Sequence, residues 1–279
     1  MSGSITSVGF IGLGSMGGAQ ARELAKLSLP LAVFDHSDEA MKRFEGRARL
    51  ASGIADLGDC DVVGICVQDD RQVHDCVDQL LPALKPGAVI MIHSTIRPAT
   101  VKAVAEAAAM RKVEVLEAPV TRTEMHDDGP FVFCMVAGDE AVKERVRPVL
   151  DAYSTNTMMV GPLGSAMAMK ISNNLVAWCE IMLGIEAFDV AEAAGVPLDK
   201  LAAVMERNGN MTPPMRGFLR FRADRGNQAM RDLMAVQACI GEKDLTLAEE
   251  LGRSVGVDPT IAAHVRRLVK ERILEVCRR

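Results

Sequence analysis

The stretch Val8-Gly9-Phe10-Ile11-Gly12-Leu13-Gly14-Ser15-Met16-Gly17 decides how the first half of this chain is read. Residues 5–11 have the apolar, β-branched character of a strand, and residues 18–27 read as a helix. The three glycines stand between them, which is the setting that gives a G-x-G-x-x-G pattern meaning. Gly12 permits a tight turn, Gly14 leaves the backbone open to a pyrophosphate, and Gly17 lets helix and strand pack closely. The helix N-terminus offers unpaired N–H groups to phosphate oxygens. Ser15 and Met16 lie within the same loop, so Gly12, Gly14, Ser15, Met16 and Gly17 are the candidate cofactor contacts.

Leu31–Asp35 reads as a second strand, and Asp35 lies eighteen residues beyond Gly17. An acidic residue at that distance suits a hydrogen bond to the adenosine ribose. Its charge repels a 2′-phosphate, so NAD is preferred, while His36, Lys42 and Arg43 close by leave NADP open. Further βα alternation follows, with strands at 61–67, 88–92, 114–117, 131–137 and 157–160 and helices at 73–81, 99–112 and 139–153. Such alternation specifies α/β architecture with a parallel sheet. The expectation is a Rossmann-type doubly wound N-terminal domain over 1–163.

A second informative stretch is Gly161-Pro162-Leu163-Gly164-Ser165-Ala166-Met167-Ala168-Met169-Lys170-Ile171-Ser172-Asn173-Asn174. It opens a long helical segment, with Ser165 as the expected N-cap and Gly195 followed by Pro197 as the stop. The helix, 164–194, is expected to join the first domain to an all-α C-terminal domain, 164–279. Lys170, Asn173 and Asn174 interrupt an apolar run and share one helix face. A buried lysine beside two carboxamides needs partners. The spacing suits either a lysine snorkelling to water beside a structural Asn pair or a proton-transfer lysine with an Asn orienting a substrate. Beyond Gly195 the pattern is helical only, near 198–208, 229–252 and 258–277, with irregular backbone expected around Thr212-Pro213-Pro214. Lys243 and Asp244, being adjacent, are expected to point in different directions, serving either a solvated face or a substrate site.

Composition narrows the functional class. The 279 residues carry a formal net charge of −5, which argues against a nucleic-acid partner. Seven scattered cysteines, with no C-x-x-C pair, read as reduced thiols of a cytoplasmic protein rather than a disulfide frame, and no metal-ligand spacing occurs. No apolar run is long enough to span a membrane, and the early first strand leaves no room for a signal peptide.

Four blocks in order give the chain a resemblance to the β-hydroxyacid dehydrogenases, the group of 3-hydroxyisobutyrate dehydrogenase and tartronate semialdehyde reductase, related to 6-phosphogluconate dehydrogenase. Gly9–Gly17 resembles the family's cofactor loop. Glu117-Ala118-Pro119-Val120-Thr121 resembles its substrate block, usually Asp-Ala-Pro-Val-Ser-Gly-Gly. Gly161–Asn174 resembles its catalytic block, and Lys243-Asp244-Leu245 its C-terminal block. The resemblance implies a reversible hydride transfer between a nicotinamide and a small β-hydroxy acid. It implies Lys170 as catalytic lysine, with Asn173 supporting, and Asn174 and Thr121 as substrate ligands. Lys243 would lie near nicotinamide and substrate with Asp244 supporting it, Thr95 would contact the cofactor, and the protein would be a homodimer or homotetramer. Imine reductases, small aldehyde reductases and non-catalytic dinucleotide-binding proteins on this architecture are the alternatives; Lys170 argues against the first and the last. Three departures stand out: Arg122 and Thr123 replace the paired glycines whose N–H groups hold a carboxylate, the interval to Gly129 is one residue short, and Ala166 replaces a glycine. Arg122 and Thr123 thus become candidate contacts to an acidic substrate, with Arg122 able to hold a carboxylate through two parallel hydrogen bonds.

Overall fold

The computed structural model describes residues 4–122, 129–224 and 226–278. They form two compact units, residues 1–170 and 171–279, which divide within one helix.

The first unit begins with β1 (Val8–Ile11), α1 (Ser15–Leu24), β2 (Leu31–Phe34), α2 (Asp38–Lys42) and β3 (Arg49–Leu50). It continues through β4 (Val62–Ile65), α3 (Asp70–Leu80), β5 (Val89–Ile92), α4 (Pro98–Ala109), β6 (Glu114–Glu117) and β7 (Val120–Arg122). Then come β8 (Val132–Ala137), α5 (Glu140–Tyr153), β9 (Ser154–Gly161) and the start of α6 (Ser165–Ala193). The sheet order is β3-β2-β1-β4-β5-β6-β8-β7, with β9 paired to β8. Strands β1 to β6 are parallel, β8 is antiparallel to β6 and β7, and β9 is parallel to β8.

Helices cover both faces of a parallel sheet, so its strands are apolar throughout rather than alternating. Every residue of β1, β4 and β5 is buried. Successive residues serve opposite faces: Phe10, Val62 and Met91 belong to one core cluster, Ile11, Val63 and Ile90 to the other. The chain reverses its direction of winding at β1, whose neighbours are β2 and β4. Open α/β sheets bind ligands in the crevice outside the strand C-termini at such a point.

The second unit holds the rest of α6, then α7 (Leu198–Arg207), α8 (Pro213–Ala223), α9 (Gln228–Ser254) and α10 (Thr260–Arg278). Gly195, at φ 75, closes α6 as expected, with its N–H donating to the Glu192 carbonyl. The irregular backbone expected at Thr212-Pro213-Pro214 is instead the start of α8. Thr212 is its N-cap, accepting from the Met215 N–H, and the prolines occupy the first turn. A missing N–H costs nothing there, because the first N–H groups of a helix have no intrahelical acceptor. The expected cap of α6 also differs, as described below. Arg222 of α8, almost fully buried, pairs with Asp189 at 2.7 Å and Glu192 at 2.5 Å, and Arg272 of α10 pairs with Asp189 at 2.8 Å. Among the described residues, no helix is long and apolar enough to cross a membrane.

Candidate active site

The glycine loop is built by steric necessity. Gly12 has φ 90, and a Cβ on it would lie 2.2 Å from the Cys66 carbonyl oxygen; a Cβ on Gly17 would lie 2.0 Å from the Gly12 carbonyl oxygen. Gly14 differs: a Cβ there would meet nothing within 4 Å. The space beside Gly14 is thus open to a pyrophosphate. Helix α1 starts just after it, with no side chain capping its N-terminus and no acidic residue in its first turn. Both features fit a bound anion.

Asp35 stands at the end of β2 and braces this loop. Its Oδ2 accepts from the Leu13 N–H at 2.6 Å, and its Oδ1 accepts from the Ser37 N–H at 2.8 Å. Arg43 donates to the Leu13 carbonyl at 3.4 Å. Together they border a cavity of about 640 Å³ whose walls include Gly12, Gly14, Asp35, His36, Arg43 and Gln72. Ser15, Met16, Gly17 and Thr95 are not among its walls. The candidate dinucleotide contacts Gly12, Gly14 and Asp35 therefore share one cavity, and Arg43 and Gln72 join them.

The neighbouring strand ends are cross-braced. Asp70, at the start of α3, accepts from the Arg97 N–H at 2.9 Å, from Arg97 Nη1 at 2.8 Å and from Thr100 Oγ1 at 2.6 Å. Ser94 Oγ accepts from the Val67 N–H at 2.8 Å. Thr95 is half-buried between these anchors. His93 lies in the sheet interior: its Nδ1 donates to the Ala118 carbonyl at 2.7 Å, which leaves Nε2 as the acceptor facing Tyr153 Oη at 3.5 Å. Burial pushes the His93 pKa down to about 4, so the ring is neutral.

The substrate block lies on the sheet rather than in a loop. Thr121 and Arg122 belong to β7 and pair with Phe133 and Val132 of β8. Thr121 is half-buried and Arg122 exposed. The Arg122 guanidinium lies over the Phe131 ring, 5.2 Å from its centroid, and Nη2 is 3.8 Å from Met16 Sδ. It thus leans toward the glycine loop. Thr123 is outside the described residues.

Lys170 is buried on α6, six residues into the helix. The helix start is held not by Ser165 but by Glu117 at the end of β6. Its carboxylate accepts from the N–H groups of Gly164, Ala166 and Met167. A charged acceptor reaching in from a neighbouring strand outcompetes a serine hydroxyl for those donors.

In the second unit, Asp244 is the hub. Its Oδ2 accepts from Asn174 Nδ2 at 2.8 Å and from the Trp178 indole N–H at 3.2 Å. Lys243 Nζ lies 3.1 Å from Asp244 Oδ1. Lys243 and Asp244 do not diverge as adjacent helix positions suggest: the long lysine chain curls back to its neighbour's carboxylate, which is itself 2% exposed. Asn173 is exposed. Gly241 makes room for the indole, since a Cβ there would lie 3.0 Å from the Trp178 ring. Trp178 is four residues beyond Asn174, a helical spacing visible in sequence, yet its tie to Asp244 is not. Glu117 entered the sequence reading only as the head of the substrate block and not as the anchor of α6, and Asp70 was not singled out.

Comparison with known proteins agrees with this geometry. Residues 7–161 match the family described as the NAD binding domain of 6-phosphogluconate dehydrogenase. An uncharacterized oxidoreductase of Mycobacterium tuberculosis is 30% identical over 263 residues, 91% of this chain and 89% of the relative. A probable mitochondrial 3-hydroxyisobutyrate dehydrogenase of Dictyostelium discoideum is 29% identical over 266 residues, 91% of this chain and 81% of the relative. In fold, the crystal structure of a 3-hydroxyisobutyrate dehydrogenase from Salmonella typhimurium superposes with a TM-score of 0.82, at 24% identity, covering 98% of this chain and 99% of that one. A glycine loop left open beside Gly14, a lysine buried on the long helix, a family match over residues 7–161 and relatives along nine-tenths of the sequence lead to one assignment: the chain is an NAD-binding oxidoreductase and belongs to the β-hydroxyacid dehydrogenase family.

Proposed function

We propose that the protein catalyses reversible hydride transfer between a nicotinamide cofactor, NAD in preference to NADP, and a small β-hydroxy acid or its semialdehyde. The observation that carries this reading is Lys170, buried on α6 one turn beyond a helix start tied to the substrate block. The cavity at Gly12, Gly14 and Asp35 fits the dinucleotide, and the Asp35 carboxylate favours a ribose hydroxyl over a phosphate. The nicotinamide, when bound, supplies the hydride acceptor or donor.

The chain's own residues handle the proton and the orientation. Lys170 takes the hydroxyl proton as the alcohol is oxidised and returns it when the carbonyl is reduced. Its ammonium form also stabilises negative charge developing on that oxygen. Asn174, fixed by Asp244, orients the substrate, with Lys243 beside it and Asn173 in support. Thr121 and Arg122 receive the acid group. Seven cysteines with no disulfide among them suit a reducing, cytoplasmic setting.

The test is a panel of β-hydroxy acids and semialdehydes assayed with NAD(H) and NADP(H), beginning with 3-hydroxyisobutyrate. Lys170→Met should lose roughly 10²- to 10⁴-fold in turnover while retaining NADH binding, read by cofactor fluorescence, and thermal stability. Wild-type turnover by that variant would overturn the assignment.

A further inference from the structure

Every helix begins with four backbone N–H groups that have no partner within the helix. Helix α6 satisfies three of its own through a residue far away in sequence. Glu117 Oε1 accepts from the Gly164 N–H at 2.5 Å, and Oε2 accepts from Ala166 at 2.8 Å and Met167 at 3.1 Å. The Glu117 side chain is fully buried. Burial raises its pKa, while the three N–H groups and the Lys102 charge pull it back. Burial is the largest effect and leaves the pKa raised, yet all three backbone groups that face the carboxyl are donors, so the ionised form, with both oxygens accepting, matches them while a carboxyl proton would find no acceptor among them.

The position of this residue matters more than its strength as a cap. Glu117 ends β6 and is followed directly by Ala118-Pro119-Val120-Thr121-Arg122. Two of the donors it holds, Ala166 and Met167, lie four and three residues before Lys170 on a continuous helix. A cap supplied by the helix's own preceding residue fixes only the local backbone. This one fixes the first turn of α6 against a sheet strand, and with it the rotation and axial position at which Lys170 leaves the helix. Lys102, from α4, reaches the same junction: a Cβ on Gly164 would lie 3.8 Å from its Nζ.

We propose that Glu117 is a positioning residue for Lys170: its carboxylate anchors the first turn of α6 to β6, and so sets both the aim of the lysine and the charge it experiences. The proposal rests on the reading of Lys170 as the proton-transfer group, but its test needs no substrate. A negative charge at the helix start favours the ammonium form, and it also offsets the positive end of the helix dipole. Removing it lowers the pH at which Lys170 gives up its proton on both counts.

The experiment is competitive acylation of the full-length protein with trace acetic anhydride across a pH series, read by mass spectrometry at each lysine. Glu117→Gln should shift the labelling midpoint of Lys170 to lower pH by about half a unit or more, with exposed Lys42 and Lys200 unmoved. Glu117→Asp keeps the charge but withdraws the oxygens by one methylene. It should leave the midpoint nearly in place and change the limiting labelling rate of Lys170 at least threefold. If Glu117→Gln does not fold, Glu117→Asp decides through that rate. A lower melting temperature with an unchanged Lys170 midpoint and rate would show that Glu117 is a structural cap and nothing more. That result would leave the role of Lys170 standing, since Lys170→Met tests it separately.

Discussion

His93 makes the stability of the first unit depend on pH in a way that can be worked out in advance. The ring is stacked on Phe10, with centroids 5.6 Å apart, and a Cβ on Gly64 would lie only 3.2 Å from Nε2. His93 is 3% exposed, so a second ring proton would be cut off from bulk water. Burial accordingly pushes the pKa from 6.5 to about 4, against a smaller opposing effect of the Ala118 carbonyl. Between these two values the unfolded chain binds a proton that the folded chain refuses. Stability is therefore complete above the unfolded value and is lost as pH falls through that window. The loss amounts to roughly 1 kcal/mol at pH 5.5 and roughly 3 kcal/mol by pH 4. Amide hydrogen exchange of β5, Val89–Ile92, reports the opening free energy of this unit by itself. His93→Phe keeps the stacking on Phe10 but leaves the Ala118 carbonyl without its ring donor. It should be destabilised by about 1–3 kcal/mol at pH 8 and should lack this part of the acid slope. Carboxylates of the same unit with a lowered pKa, such as Asp61, contribute equally to both proteins, so the difference between them isolates the histidine. Parallel slopes for wild type and His93→Phe between pH 7 and 5 would refute the reasoning.

Three further outcomes are expected. Asp35→Asn should reduce the ratio of kcat/KM for NAD over NADP by about tenfold or more, as loss of a charge-assisted hydrogen bond predicts; a wild-type enzyme that prefers NADP would show that His36 or Arg43 governs recognition instead. Arg122→Ala should raise KM for an acidic substrate by about 10- to 150-fold with little change for the cofactor, and Arg122→Lys should restore it only in part. Because Arg122 also leans on Met16, a rise confined to the cofactor KM would reassign it to the glycine loop. Val176, Leu183 and Val190 recur every seventh residue of α6 and are 56%, 62% and 65% exposed; a second copy of the chain covering this stripe gives a dimer mass by light scattering, and Leu183→Lys should yield monomer.

What the sequence disclosed and what it withheld divide along one physical line. The turn at Gly12 and Gly17 was legible because the glycine spacing between a strand and a helix is itself a local pattern, although only the Gly17 clash, with the Gly12 carbonyl, is local; a side chain on Gly12 would meet Cys66, on a neighbouring strand end. Gly195, whose left-handed φ ends α6, was legible as a local pattern too. Helix α8 was misread because Pro213-Pro214 signals a break everywhere except in a first turn, and only the Thr212 cap shows which case applies. As an anchor of α6, Glu117 was unreadable for a different reason. It bonds Gly164 across 47 residues, and Asp244 bonds Asn174 across 70. Neither pattern alters hydrophobic periodicity, so nothing in the local sequence announces it. Arg122 stood out because it replaces a glycine of the family's substrate block, and its packing over Phe131 depends on a strand pairing that periodicity did not reveal.

Trp178 is the sole tryptophan of the chain, and its indole N–H shares the Asp244 Oδ2 with the Asn174 carboxamide. The molecule thereby carries an optical probe wired to one of its candidate substrate ligands. Indole emission responds to the electrostatic field along the ring, and a carboxylate at 3.2 Å is a large part of that field. Any ligand that draws the Asn174 amide away leaves Trp178 with a greater share of the Asp244 charge. The emission maximum should move without any engineered dye. Screening small hydroxy acids by that shift requires neither turnover nor cofactor, so it reads binding at Asn174 separately from catalysis.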